Sequence, residues 1–189
     1  RQAYPSDLSD EEWSILAPLL VPGRQAGHPR VFAPRRIADA AFYLLRTGRQ
    51  WRALPHEFPP WPTVYYHYSR WRRAGTWERI NARLRERHRR AIGRDSQPSA
   101  AIIDSQSVRT SEVGGPRGYD GAKKISGRKR QVLVDTQGNL LKAKVHPADV
   151  HDRRGGEMLL QGLAAQFPRI ALLWADSAYQ GLKAWLALT

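Results

Sequence analysis

The sequence predicts two parts of different class, an all-α domain over residues 1–95 and an α/β domain over 96–189. Three observations carry this division. Apolar residues in the first part recur at helical spacing, short apolar runs bounded by turn residues take over after Pro98, and the stretch 93–99 between them is short, polar and broken by that proline.

The elements follow in order. Ser6, Asp7 and Ser9 precede the acidic run Asp10, Glu11 and Glu12, and Trp13, Ile15, Leu16, Leu19 and Leu20 continue as the apolar face of a capped helix over 6–20. Pro22 and Gly23 stop it. Ile37, Ala40, Ala41, Leu44 and Leu45 share the stripe of a second helix over 35–47, with Gly48 as its stop. After the break FPPWP a third helix covers 63–73 and a fourth 76–92. The fourth aligns Trp77, Ile80, Leu84 and Ala91 and surrounds them with Arg79, Arg83, Arg85, Arg87, Arg89 and Arg90, so it reads as a basic amphipathic helix.

Beyond residue 99 the runs 100–104, 131–135 and 140–145 read as strands, the last two joined by the turn Thr-Gln-Gly-Asn. A helix over 152–166 turns Met158, Leu159, Leu163 and Ala164 inward. A strand over 170–174 follows, then the start of a helix at Ala178, while 113–118 reads as a flexible loop. Strand, strand, strand, helix, strand, helix is the opening of a ribonuclease H-like α/β fold with a mixed sheet.

Charge narrows the partners. The 189 residues carry a net +14 with a sequence pI near 10.8. Residues 1–96 hold 18 Arg, no Lys and 9 acids, and 97–189 hold 7 Arg, all six Lys and 8 acids. Such a balance favours a polyanion, because each neutralised phosphate releases a condensed counterion. No run approaches the roughly 20 apolar residues that span a bilayer, and no apolar leader opens the chain, so a cytoplasmic, nucleoid-associated protein without a membrane partner is expected. Zero cysteines exclude a disulfide framework and thiolate zinc sites. Glycine-rich nucleotide loops, zincin motifs and serine elbows are absent from the sequence.

Two aspartates stand out. Asp104 and Asp176 each end an apolar run that reads as a buried strand, and they lie 72 positions apart. Neighbouring parallel strands present their ends side by side, so the two carboxylates can share a divalent cation, with magnesium or manganese selected by hard oxygen ligands. The plainer alternative is that each caps the turn that follows, as Asp176 before Ser177 can. Between them, YDGAKKISGRKR sets Lys123, Lys124, Arg128, Lys129 and Arg130 among glycines, as a clamp on nucleic acid or simply a solvated hairpin. Trp61, Tyr65, Tyr66, Tyr68, Trp71 and Trp77 could stack bases but suit a helical core better, and the interleaved Arg70, Arg72 and Arg73 are the better phosphate contacts. His146, Asp149, His151 and Asp152 crowd one turn, where capping is favoured over metal ligation.

These strings resemble one family, the DDE transposases of bacterial insertion sequences, in the insertion-sequence five group of the insertion-sequence four superfamily. LSDEEW, AFYLLRTGRQWRALPHEFPPWPTVYYHYSRW and GTWERIN are similar to its helix-turn-helix-like amino-terminal domain. IIDSQSVRTS, YDGAKKISGRKR, VDTQGNLL, HPADVHDR and WADSAYQG are similar to its catalytic domain. The resemblance implies binding of terminal inverted repeats in double-stranded DNA, allows a homodimer on that DNA, and implies magnesium-dependent strand cleavage and transfer by an Asp, Asp, Glu triad. The first triad position falls on Asp104 and the second on Asp176, and the third has no match here. These 189 residues are therefore expected to be inactive alone, as a truncated copy, one frame of a split gene or a fragment. Glu157, on the helix after the third strand, is the one internal substitute, against the alternative of an exposed surface residue. Two competing functions remain: a non-catalytic DNA-binding repressor, and a compact nuclease using Asp104, Glu157 and Asp176.

Overall fold

The structure, a computed structural model, describes residues 3–21, 31–110 and 114–182. The chain separates into two compact units, Arg1–Asn81 and Ala82–Thr189, so the division falls within the fourth helix rather than in the polar stretch after it. The expected stop at Pro22 and Gly23, and residue 113 of the expected loop, lie outside the described residues.

The first unit is helical. Helix α1 (Asp10–Leu20) begins with a capping box, in which Ser9 Oγ accepts from the Glu12 N–H at 3.1 Å and Glu12 Oε2 accepts from the Ser9 N–H at 2.8 Å. Helix α2 (Pro34–Thr47) ends at Gly48, whose φ of 65° is the left-handed turn glycine adopts without a Cβ clash. A single 3-10 turn, Trp51–Ala53, leads to α3 (Trp61–Arg73), and α4 (Thr76–Ala91) follows. Leu16, Leu20, Ile37, Ala41, Leu44, Phe58, Val64, Trp71 and Ile80 form the core, and the Trp71 indole donates to the Leu20 carbonyl at 3.1 Å.

Helix α4 departs from its expected stripe. Ile80 is buried, but Leu84 is 42% exposed while Arg85 and Arg89 are buried. Their heads explain the inversion. Within the second unit, Arg89 Nη1 lies 2.5 Å from Asp135 Oδ2 and Arg89 Nε donates to the Asp95 carbonyl, while Arg85 sits over the Phe167 ring and donates to the Leu140 carbonyl. A long aliphatic stem with a paired head fills an interior position that Leu was expected to take.

The second unit is a five-stranded mixed sheet: β1 (Ala100–Arg109), β2 (Gly118–Asp120), β3 (Ile125–Asp135), β4 (Leu140–Pro147) and β5 (Leu172–Trp174). Strand β3 pairs antiparallel with β1, β2 and β4, and β1 pairs in parallel with β5. The β3–β4 hairpin turns at Gly138 (φ 78°), and Asp135 Oδ1 accepts the N–H groups of Gln137 and Asn139 to close it. The helix expected over 152–166 is two, α5 (Asp152–Leu160) and α6 (Leu163–Gln166), broken at Gly162, which has a left-handed φ of 70°. Leu159 and Leu160 of α5 pack with Ala101, Ile103 and Leu133 on one sheet face. Ser177–Tyr179 after β5 is a 3-10 turn, where a helix was expected to start.

Candidate functional site

Each aspartate follows the parallel pairing of β1 and β5 by two residues. β1 and β5 pair Ala100 with Leu172, Ala101 with Leu173 and Ile102 with Trp174. Each pair is separated by 72 positions, the separation of Asp104 and Asp176, and the pairing ends at Ile102 and Trp174, two residues before each aspartate. Both are exposed. The Tyr179 phenol senses the pair. Its pKa is pushed up mainly by burial, and the charges of Asp152, Asp104 and Asp176 add to the shift.

The alternation of a strand decides which side each residue takes, and directly opposed residues share a face. Ala101, Ile103, Leu133 and Asp135 face α5. The other face carries a row of Leu140, Val134, Ile102 and Trp174, then a row of Ala143, Val132 and Asp104, then Val145, Arg130 and Gln106. Asp104 therefore lies between an apolar row and the row that holds Arg130 on one sheet surface.

The basic stretch divides by the same alternation. Lys123 and Lys124 are exposed in the turn after β2, and Lys124 holds a left-handed φ of 53°. Arg130 lies on the carboxylate face and hydrogen-bonds to Gln106. Arg128, also on that face, donates to the Pro116 carbonyl at 3.0 Å and the Gly114 carbonyl at 2.7 Å, tying down the loop. Lys129 points the opposite way. It is 5% exposed, its Nζ lies 3.0 Å from Asp152 and 3.6 Å from Asp120, and it donates to the Val150 carbonyl. A lysine so enclosed cannot reach a phosphate, which corrects its place in the expected clamp. On α3, Arg70, Arg72 and Arg73 are exposed, and Arg70 lies over the exposed Tyr66 ring. Trp71 is buried and Trp61, Tyr68 and Trp77 pack against the core, while Tyr65 and Tyr66 are exposed.

Comparison with known proteins decides the family. Residues 8–81 match the family model for transposases of the IS4/5 family, and residues 95–189 match the model described as a transposase DDE domain. The chain belongs to the DDE transposases of the IS4/5 family. It is 32% identical over 113 residues to an uncharacterized 16.2 kDa protein of insertion element IS402 from Burkholderia cepacia, a match covering 57% of this chain and 76% of that protein. No solved structure matches the transposase.

DDE transposase domains use divalent metal ions, and the carboxylate pair fits one. Asp104 Oδ1 accepts from the Ser105 N–H at 2.7 Å and Asp176 Oδ1 accepts from the Ala178 N–H at 2.9 Å. Among the described residues the Oδ2 of each has no hydrogen-bond partner and remains available to a hard cation. Asp176 thus caps the turn through Oδ1, as the plainer reading of it expects. No group of three or more His, Cys, Asp or Glu side chains suited to a metal occurs among the described residues.

Glu157 does not join the pair in the transposase. It is neither exposed nor turned to Asp104, but buried between Arg154 at 2.9 Å and Arg153 at 3.3 Å, and the Arg154 hydrogen bond is the main reason its carboxyl is held below the usual range. In the turn before it, His151 caps α5 by accepting from the Arg153 N–H, His146 is buried against Gly155, and Asp152 pairs with Lys129. Sequence reasoning missed Gln131 and Tyr179, which tie these pieces together. Tyr179 stood in view in WADSAYQG, three residues after Asp176, but its partner on β3 required the register.

Proposed function

We propose that this transposase binds double-stranded DNA at the terminal inverted repeats of its element and cleaves and transfers strands at the Asp104 and Asp176 rim with Mg2+ or Mn2+. The observation that supports this reading is the offset of 72 shared by the three residue pairs of β1 and β5, which equals the separation of Asp104 and Asp176. A divalent ion bound there supplies activation of an attacking oxygen and charge stabilisation of the leaving one. The chain's own part is to hold two carboxylates on a fixed rim. Arg130 on the same sheet face, with Lys123 and Lys124 at its margin, attracts and orients the phosphodiester. Arg70, Arg72 and Arg73 on α3 supply contacts from the helical unit, and the division of labour is proposed to follow residues 1–95 and 96–189.

A second part of the proposal concerns these 189 residues by themselves: they bind without cutting, as a repressor would. The supporting observation is that Glu157 is committed to two arginines, which leaves a two-carboxylate site among the described residues. Footprinting on the element's ends, with and without Mg2+, tests both parts, alongside Mn2+ binding followed by electron paramagnetic resonance. Protection of the repeats by wild type, Asp104→Asn and Asp176→Asn alike is expected, with Mn2+ binding lost in both variants. Unprotected repeats overturn the DNA assignment, unchanged Mn2+ binding overturns the metal assignment, and Mg2+-dependent nicking by the 189 residues overturns the non-catalytic part.

A further inference from the structure

Behind the carboxylate rim lies a buried polar chain that packing alone does not require. Tyr179 is 3% exposed, and its hydroxyl donates to Gln131 Oε1 at 2.5 Å. Gln131 is fully buried, and its Nε2 donates to Asp152 Oδ1 at 3.2 Å. Asp152 takes Lys129 Nζ at 3.0 Å, and Lys129 also faces Asp120, which accepts from Ser107 Oγ at 2.5 Å. The other oxygen of Asp120 accepts the N–H groups of Ala122 and Lys123, both at 3.1 Å, in the turn that carries the two exposed lysines.

The Tyr179 hydroxyl therefore ties the turn after β5 to β3. Tyr179 closes the 3-10 turn that Asp176 opens, since its N–H donates to the Asp176 carbonyl at 3.2 Å. Its ring lies so close to Gly156 of α5 that a Cβ there would come within 3.1 Å of it. The turn is thus clamped from behind by the helix and tied in front to β3 at Gln131. Nothing in the apolar core needs the oxygen, because Phe would fill the same space.

We propose that Tyr179 is a positioning residue for the carboxylate pair, its hydroxyl fixing the turn of Asp176 against Gln131 of β3 so that both aspartates meet one cation. This inference rests on the metal role proposed for Asp104 and Asp176. Groups that orient a metal's carboxylate ligands from behind typically change affinity by roughly 10- to 100-fold when removed.

The test uses the 189-residue chain with Mn2+ as the probe, followed by electron paramagnetic resonance, and the variants Tyr179→Phe, Gln131→Leu and their double. Circular dichroism establishes that each is folded, and Tyr179→Phe keeps the ring against Gly156. The expected result is about 10-fold weaker Mn2+ binding in each single variant, no further loss in the double, and wild-type affinity for DNA without metal. Asp104→Asn separates the metal role from the positioning role. If it leaves Mn2+ binding unchanged, the metal reading fails and this inference with it. If it abolishes binding while Tyr179→Phe matches wild type, or if the losses of the single variants simply add, the positioning role alone is overturned.

Discussion

Lys129 and its neighbours on β3 show how one residue's side of a strand decides its work. Arg128 and Arg130 lie on the carboxylate face, while Lys129 lies between Asp120 and Asp152 beneath α5. A buried charge must be paired, and here three charged groups satisfy one another with Ser107, Gln131 and the Val150 carbonyl completing the shell. Asp120 records this most clearly. The Ser107 hydrogen bond, the main cause, together with the Ala122 and Lys123 N–H groups and the Lys129 charge, overcomes burial and holds its carboxyl at about 2, below the ordinary 3.8. A carboxyl whose folded pKa lies below its unfolded one contributes stability above the unfolded value and loses it as the pH falls through the folded one. The stability gap between wild type and Asp120→Asn should therefore be widest above about pH 4 and close as the pH falls toward about 2. Urea unfolding at several pH values measures that gap, and one that stays constant with pH would contradict the assignment.

At the scale of elements, α5 lies against its sheet face through two glycines. A Cβ on Gly155 would come within 2.5 Å of both Gln131 Nε2 and His146 Nε2, and Gln131 is held by Tyr179 and Asp152. Alanine is the better helix former by about 1 kcal/mol, but overpacking a filled interior costs about 1–3 kcal/mol, so the clash prevails. Gly155→Ala should lower the urea midpoint, whereas Gly162→Ala, with open space around it, is strained only through its left-handed φ of 70°. An unchanged or raised midpoint for Gly155→Ala would show that the helix can lift without cost. Such close approaches explain what the sequence could and could not reveal. The capped start of α1, the Gly48 stop, the 136–139 turn and the strand before Asp176 rest on local chemistry and were legible, whereas β1, expected to end at Asp104, runs on to Arg109 because β3 pairs with it along that length. The buried face of α4 was not, because helical spacing marks Leu84 for the core, and only Asp135 and Phe167, distant in sequence, explain why Arg85 and Arg89 go inside instead. The period-2 alternation of β3 did contain the fate of Lys129, but basic residues crowded over 123–130 read as a single patch until their strand is known.

For the whole molecule the deciding quantity is charge, +14 in all, with a net of +9 in residues 1–96 and +5 in 97–189. Neither half is neutral, so the proposed DNA contact should draw on both. Some of that charge is already engaged within the protein: Arg85 and Arg89 are buried, Lys129 is paired, and Arg153 and Arg154 hold Glu157. The exposed remainder includes Lys123, Lys124 and Arg130 in the sheet unit and Arg70, Arg72 and Arg73 on α3. Removing one side chain that neutralises a phosphate flattens the dependence of log affinity on log salt by roughly 0.9. Changing either set of three to Gln should thus reduce the slope by up to about 2.7, and changing both sets should reduce it by up to about 5.4. Lys129→Gln should leave the slope unchanged while lowering stability, because its charge faces carboxylates rather than solvent. Fluorescence anisotropy across a salt series reads each of these variants against wild type. A slope that responds to only one set would confine the phosphate contacts to one unit, and a slope that responds to Lys129 would mean that the buried network opens when DNA binds.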